Sequence, residues 1–148
     1  MARELKALTG LRDDTFAATP PGEALKLLLS INMTNIRRKK YGIRKLMLLD
    51  IRNAHWQSPA KRAVYIDLPP EIASEGECAL LLKSMYGTRD AAGNFAEEMI
   101  RVLREIGFIF RVFNPCLAWH SEQEVSLLYH GDDILADGID ESLDWFSV

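Results

Sequence analysis

Val125-Ser126-Leu127-Leu128-Tyr129-His130-Gly131-Asp132-Asp133-Ile134-Leu135-Ala136 is the stretch on which the reading of this chain turns. Apolar, strand-like runs flank a Gly-Asp pair, the pattern of a β-hairpin that lifts two adjacent acids to its tip. Paired carboxylates are too costly for an apolar core. A pair at a hairpin tip is therefore either solvated or holds a cation. The stretch alone leaves both readings open.

Composition narrows the setting. The chain has 148 residues, long enough for one domain with a real core. Its 48% apolar and 26% charged content fits a globular chain and argues against disorder. A net charge of -3 provides no overall attraction to nucleic acid or acidic membranes, so such binding needs a local patch. The two cysteines, Cys78 and Cys116, have no metal-ligand spacing and are expected as buried free thiols. Charges at Arg3 and Glu4 stand where a signal peptide needs its apolar core. No apolar run approaches the ~20 residues that span a bilayer. These features lead to the expectation of an intracellular protein, cytoplasmic or nuclear, with no membrane partner.

Outward from the hairpin, the order of elements points to an α+β fold. Residues 1–9 suggest a short helix. Thr19-Pro20-Pro21-Gly22-Glu23 reads as a helix start, and Ala24, Leu25, Leu27, Leu28, Leu29 and Ile31 give that helix a broad apolar face. Arg37-Arg38-Lys39-Lys40-Tyr41, followed by Arg44-Lys45, reads as a solvated loop or as a phosphate-contacting patch. Leu46-Met47-Leu48-Leu49-Asp50-Ile51 has the pattern of a buried central strand, with Leu48 and Asp50 facing one way and Leu49 and Ile51 the other. Asp50 there is either an acid capping a turn or a functional group. Short strands are expected at 63–68 and 79–82. A helix from about Asp90 to Ile106 would bury Phe95, Met99, Val102, Leu103 and Ile106 and stop at Gly107. One or two strands broken at Asn114-Pro115 follow, and a last helix begins near Asp140. The expected architecture is a sheet with helices on one face.

If the strand ending at Asp50 neighbours the hairpin, at ~4.8 Å spacing, three carboxylates converge at one edge of the sheet. Crowded carboxylates repel and are stabilised by divalent cations. An open, oxygen-only ligand set suits Mg²⁺, and a pair of such ions suits in-line phosphoryl transfer.

Several runs together resemble one family. Leu49-Asp50-Ile51-Arg52-Asn53-Ala54-His55-Trp56 resembles the first palm motif of the reverse transcriptases of copia-type LTR retrotransposons. Val64-Tyr65-Ile66-Asp67-Leu68-Pro69-Pro70 is similar to the strand that follows there. Leu81-Leu82-Lys83-Ser84-Met85-Tyr86-Gly87-Thr88-Arg89-Asp90-Ala91-Ala92 is similar to the second motif and the helix after it. Ile106-Gly107-Phe108, Asn114-Pro115-Cys116-Leu117 and Tyr129-His130-Gly131-Asp132-Asp133 follow in the family's order. The resemblance covers roughly residues 16 to 148, with 1–15 as an N-terminal extension.

The resemblance implies a partial, palm-like antiparallel sheet with truncated fingers and no thumb. It implies an RNA-directed DNA polymerase in which two Mg²⁺ ions, or Mn²⁺ in their place, are held by Asp50 and Asp132 with Asp133 in support. His55 would screen the nucleotide sugar, while Gly87 and Arg89 would meet the incoming nucleotide or the template. The implied partners are an RNA/DNA primer-template and deoxynucleotides. Fingers, thumb, ribonuclease H and integrase domains are expected in the parent element. Histidine stands at 55 and at 130 where the family carries aromatics. Two alternatives stay open: a catalytically inactive retroelement remnant that at most binds nucleic acid, and an unrelated α+β binding domain.

Overall fold

A computed structural model of the protein describes residues 17–35, 42–72, 74 and 76–147. The expected helix over 1–9, the basic run Arg37–Tyr41 and the proposed boundary at residue 16 lie outside them. The chain divides into two compact units, one built on Asn53–Met99 and the other on Ala18–Arg52 with Ile100–Val148.

In the second unit, helix α1 (Gly22–Asn35) precedes strand β1 (Lys45–Asp50). Later come β4 (Ile109–Arg111), β5 (Asn114–His120), β6 (Val125–His130), β7 (Asp133–Gly138) and a last helix at Asp140–Ser147. The five strands form one antiparallel sheet in the order β1-β7-β6-β5-β4. The coarse α+β expectation is met. The break before β5 falls at Val112-Phe113, and Asn114-Pro115 opens the strand instead of interrupting it.

Alternation along β6 and β7 sends Leu127, Tyr129, Ile134 and Ala136 to a buried face. Leu143 of the C-terminal helix lies within reach of that side, against Val125 and Gly138. The opposite face carries Asp137, which is reached by Asn32 of α1. Helices therefore lie on both faces, not on one, because α1 has its own polar anchor in the sheet.

That anchor is a buried network that the sequence reading missed. Asp137 is 0% exposed. One carboxylate oxygen accepts from Asn32 Nδ2 at 2.7 Å, and the other accepts from Arg44 Nε at 3.0 Å and Nη2 at 2.6 Å. Arg44 Nη2 also donates to the backbone oxygens of Asp137 and Glu124. The sequence places Arg44 with its basic neighbours in a solvated loop or a phosphate-contacting patch; instead it is buried, because a fixed carboxylate and two carbonyls replace its water.

Two further expectations change. β1 is an edge strand, not a central one, and Leu48 is 79% exposed. Among the described side chains of α1 only Ala24, Leu28 and Asn32 are buried, at i, i+4 and i+8, and the remaining apolar residues of the face stay open to solvent.

The first unit holds a one-turn helix α2 (Ala54–Gln57) and a two-stranded antiparallel sheet of β2 (Tyr65–Asp67) and β3 (Cys78–Leu80). Cys78 is exposed, contrary to expectation, because it sits on an open ladder; Cys116 is buried. The division between units falls inside helix α3 (Ala91–Glu105). Phe95, Met99 and Leu103 are buried at helical spacing, whereas Val102 and Ile106 are partly open, so the buried stripe is narrower than expected. α3 ends as the glycine predicts. Gly107 has φ 99°, its N–H donates to Arg104 O, and Phe108 N–H donates to Leu103 O, the paired bonds of a Schellman cap.

Removing one partner of a buried ion pair strands the other charge. Asp137→Ala is therefore expected to destabilise the fold by about 3–5 kcal/mol, measured by urea unfolding. A cost below about 1 kcal/mol would show that the network is no anchor.

Candidate functional site

The sheet brings the acids together by register. β1 and β7 are far apart in sequence yet adjacent in space, with Asp50 directly opposite Asp133. On the other side of β7, Asp133 lies opposite His130. Partners across an antiparallel ladder project to the same face, so Asp50, Asp133 and His130 form one row across three strands. Asp50, Asp133 and His130 are exposed and Asp132 is half-buried.

Asp132 occupies the turn itself. The hairpin loop is Gly131-Asp132, and of these two residues Gly131 alone has positive φ, at 63°. Glycine at the first central position is what a II′ turn requires, and that turn matches the twist of the strands. Ile51 N–H donates to Asp132 O at 3.0 Å, tying the end of β1 to the turn. Three carboxylates thus share one end of one sheet, though as a turn residue and two strand-end partners, not as two acids at the tip. Among the described residues, no three His, Cys, Asp or Glu side chains are gathered as a metal cage. None of the three acids forms an ion pair with another described residue.

An apolar cavity of about 330 Å³ opens on the same face. Pro20, Pro21, Leu48, Leu128, His130 and Asp133 are among its lining residues. Tyr129, beside His130 in sequence, points into the opposite, buried face with its ring edge-on to Phe110. Its hydroxyl is buried without a hydrogen-bond partner among the described residues. Burial and the nearby Cys116 push its pKa up to about 12.

The other three candidates belong to the first unit. His55 sits on α2, with its ring centroid 4.1 Å from that of Tyr86 and 6.2 Å from that of Phe95. Gly87 has φ 97°, a conformation that only glycine adopts without strain, and it turns the chain between Tyr86 and Arg89. Arg89 is half-buried two residues before α3.

A polar network fixes this loop. Ser84 N–H donates to Ser58 O, Ser84 Oγ to Pro59 O, and Asn94 Nδ2 to Ser84 Oγ and Asp90 Oδ2. Thr88 Oγ1 donates to Met85 O, and Arg62 pairs with Asp90 at 3.0 Å. Burial on its own would raise the Asp90 pKa. The Arg62 guanidinium, the backbone and Asn94 together outweigh that and hold it below the usual carboxylate range.

Sequence reasoning found the three acids and the glycine turn. It did not place Ser58, Ser84, Asn94 and Asp90 in one network, because their partners are set by loop packing. In the sequence His130 stands out only as a departure at an aromatic position; its place opposite Asp133 follows from the two-residue turn.

The chain matches no protein-family model, no curated protein and no solved structure.

Like charges directly opposite in a ladder destabilise it by roughly 0.2–1 kcal/mol. Without divalent cations, Asp50→Asn or Asp133→Asn is therefore expected to raise the unfolding midpoint slightly; an equal or lower midpoint would show no repulsion to relieve. Asp90 has the opposite sign. Its folded pKa is lowered, so the stability it adds is present above the unfolded carboxyl value of about 3.9 and is lost as the pH falls through the folded value. Asp90→Asn should flatten the loss of thermal stability below roughly pH 4; an unchanged acid profile would remove Asp90 from that role.

Proposed function

We propose that this chain is the palm-like part of an RNA-directed DNA polymerase of the copia-type retrotransposon class, catalysing two-metal nucleotidyl transfer. The observation that carries the reading is the pairing of Asp50 with Asp133 next to the Asp132 turn. Strand ends rarely juxtapose like charges without a use for them, since the ladder is weakened by doing so.

The donor set fits the implied cofactor. Asp50 and Asp132 would hold Mg²⁺ or Mn²⁺, with Asp133 beside them, and carboxylate oxygens at an open, exposed site suit a hard cation that keeps water and phosphate in its shell. When bound, the ions neutralise the acids and stabilise charge on the phosphate oxygens. The reaction forms a bond between a primer 3′-oxygen and the α-phosphorus of a deoxynucleotide, and the bond to the leaving pyrophosphate breaks. The protein's own part is to hold its carboxylates on a rigid ladder, so that little reorganisation is needed when charge develops.

The family resemblance assigns His55 to the nucleotide sugar, and Gly87 and Arg89 to the nucleotide or template. Within their own unit, the stacking of His55 on Tyr86 and the locked Gly87 turn support fixed positions for these groups. The parent element's fingers, thumb, ribonuclease H and integrase domains remain part of this proposal.

The test is extension of a DNA primer on an RNA template with Mg²⁺ or Mn²⁺. The chain is expected to extend the primer, and Asp132→Asn is expected to reduce the rate at least a hundredfold, on the order of other losses of electrostatic transition-state stabilisation. Binding of primer-template without extension would instead establish the inactive, nucleic-acid-binding remnant. Neither binding nor extension would leave an α+β domain with a different task.

A further inference from the structure

Helix α1 is apolar over more of its surface than its own sheet covers. With Ala24, Leu28 and Asn32 turned to the sheet, a period of 3.6 puts Leu25, Leu29 and Met33 on one flank and Leu27 and Ile31 on the other, all of them exposed. Lys26 and Ser30 stand on the side opposite Leu28. A helix with two apolar flanks is the kind that is normally buried on both.

The flank of Leu25, Leu29 and Met33 overlooks a groove. α1 lies over β6, and two strand spacings, about 9.6 Å, separate β6 from β1. Leu128, Leu135 and Leu48 form a row across β6, β7 and β1, and His130, Asp133 and Asp50 form the next row. The leucine row is the floor of the 330 Å³ cavity, and Leu25 stands in its wall. Packed helices lie about 8–10 Å apart. The groove therefore has the width of one further helix, seated over β1, where Leu46 and Leu48 are exposed.

We propose that this helix is α1 of a second copy of the chain, in a two-fold dimer that covers the acids of both copies. A two-fold axis along the groove turns one sheet over onto the other and leaves the helix direction unchanged. The two α1 helices then lie parallel, each in the groove of the other, and Leu25, Leu29 and Met33 meet their counterparts along the seam. Charge favours this seating. The side of α1 that carries Lys26 faces the partner's β1. Asn32 reaches Asp137, two rows along the sheet from the acids. At about 1.5 Å per helical residue and 3.4 Å per strand residue, Lys26 falls roughly 5 Å short of the acid row. Its flexible stem, tilted toward the helix N-terminus, spans that distance and brings the ammonium to the partner's Asp50. Neither Lys26 nor Asp50 forms an ion pair with a described residue of its own chain. The groove on the other flank, beside Leu27 and Ile31, is lined by Arg111, and the same seating there sets Lys26 against a cation.

Each copy buries a flank of α1, its outer side and the strip of sheet beneath the partner's helix, each strip about 21 by 10 Å. The total of roughly 1,300 Å² over both copies lies at the low end of a standard interface and fits micromolar association. Dimerisation stands apart from the nucleotidyl-transfer reading. Its consequence, that the dimer is the closed form and the monomer the open one, rests on that reading.

Sedimentation equilibrium of the full chain without divalent cations tests the dimer. The mass is expected to rise from the 16.8 kDa of one chain towards twice that value between about 1 and 100 µM. Leu29→Asp, a change on an exposed flank, should weaken the dimer roughly tenfold or more. Lys26→Glu should weaken it by a similar factor, and adding Asp50→Lys should restore it. Primer extension per chain should fall as the parent's concentration rises through that range and stay constant in Leu29→Asp. The mass of one chain throughout overturns the proposal, and so does a dimer untouched by Leu29→Asp, which places the contact on another surface. A dimer broken by Lys26→Glu and not restored by Asp50→Lys overturns the parallel seating. The expected dimer without extension by the parent or Leu29→Asp keeps the interface and overturns the catalytic reading. Extension independent of concentration keeps the catalytic reading and overturns the closed form.

Discussion

Arg44 and Asp137 hold together the unit that carries the acids. Asp137 lies on the central hairpin, Arg44 immediately precedes the edge strand, and Asn32 comes from the helix laid across that face. A charge pair with no access to water is costly unless every donor and acceptor is matched. Here the guanidinium reaches both the carboxylate and two main-chain oxygens, so the match holds in one arrangement of β1, β7 and α1. Hydrophobic contacts would tolerate β1 sliding along β7; this network does not. Register follows from it, and from register follows the meeting of Asp50 with Asp133.

The two ends of that ladder behave oppositely. At one end a buried acid is fully neutralised by Arg44. At the other, two acids face each other in solvent, with a third in the adjoining turn. The first arrangement is explained by stability, and the second works against it. Unequal treatment of the same side chain within one pair of strands is the physical reason for proposing a function at the open end and a structural role at the closed one. The first unit repeats the theme on a smaller scale. Its Ser58–Ser84–Asn94–Asp90–Arg62 chain of hydrogen bonds ties together the segments on either side of the Gly87 turn.

Local signals in the sequence carried well where a single residue type decides the geometry. Gly131 makes the hairpin turn and Gly107 makes the helix cap, because each needs positive φ that a side chain opposes. The helix at α1 and the alternation of Leu48 and Asp50 against Leu49 were legible for the same reason: they follow from periods of 3.6 and 2. What misled was treating hydrophobicity as burial. Leu46-Met47-Leu48-Leu49 reads as a central strand, yet it lies at the sheet edge, and the leucines of α1 are largely open. An apolar run reports that a segment avoids water somewhere along its length; it does not report how many neighbours it has.

By itself, then, the sequence determined most of the described elements, the turn that presents Asp132 and the alternation that puts Asp50 on a given face of its strand. These depend on bonds between residues a few positions apart. Only the tertiary structure decided that β1 neighbours β7, that Arg44 is buried against Asp137, and that Asp50 lies opposite Asp133. Those facts depend on which distant segments close upon one another. That choice is made by matching buried charge and strand register across the whole unit, a sum to which no local window of the chain has access.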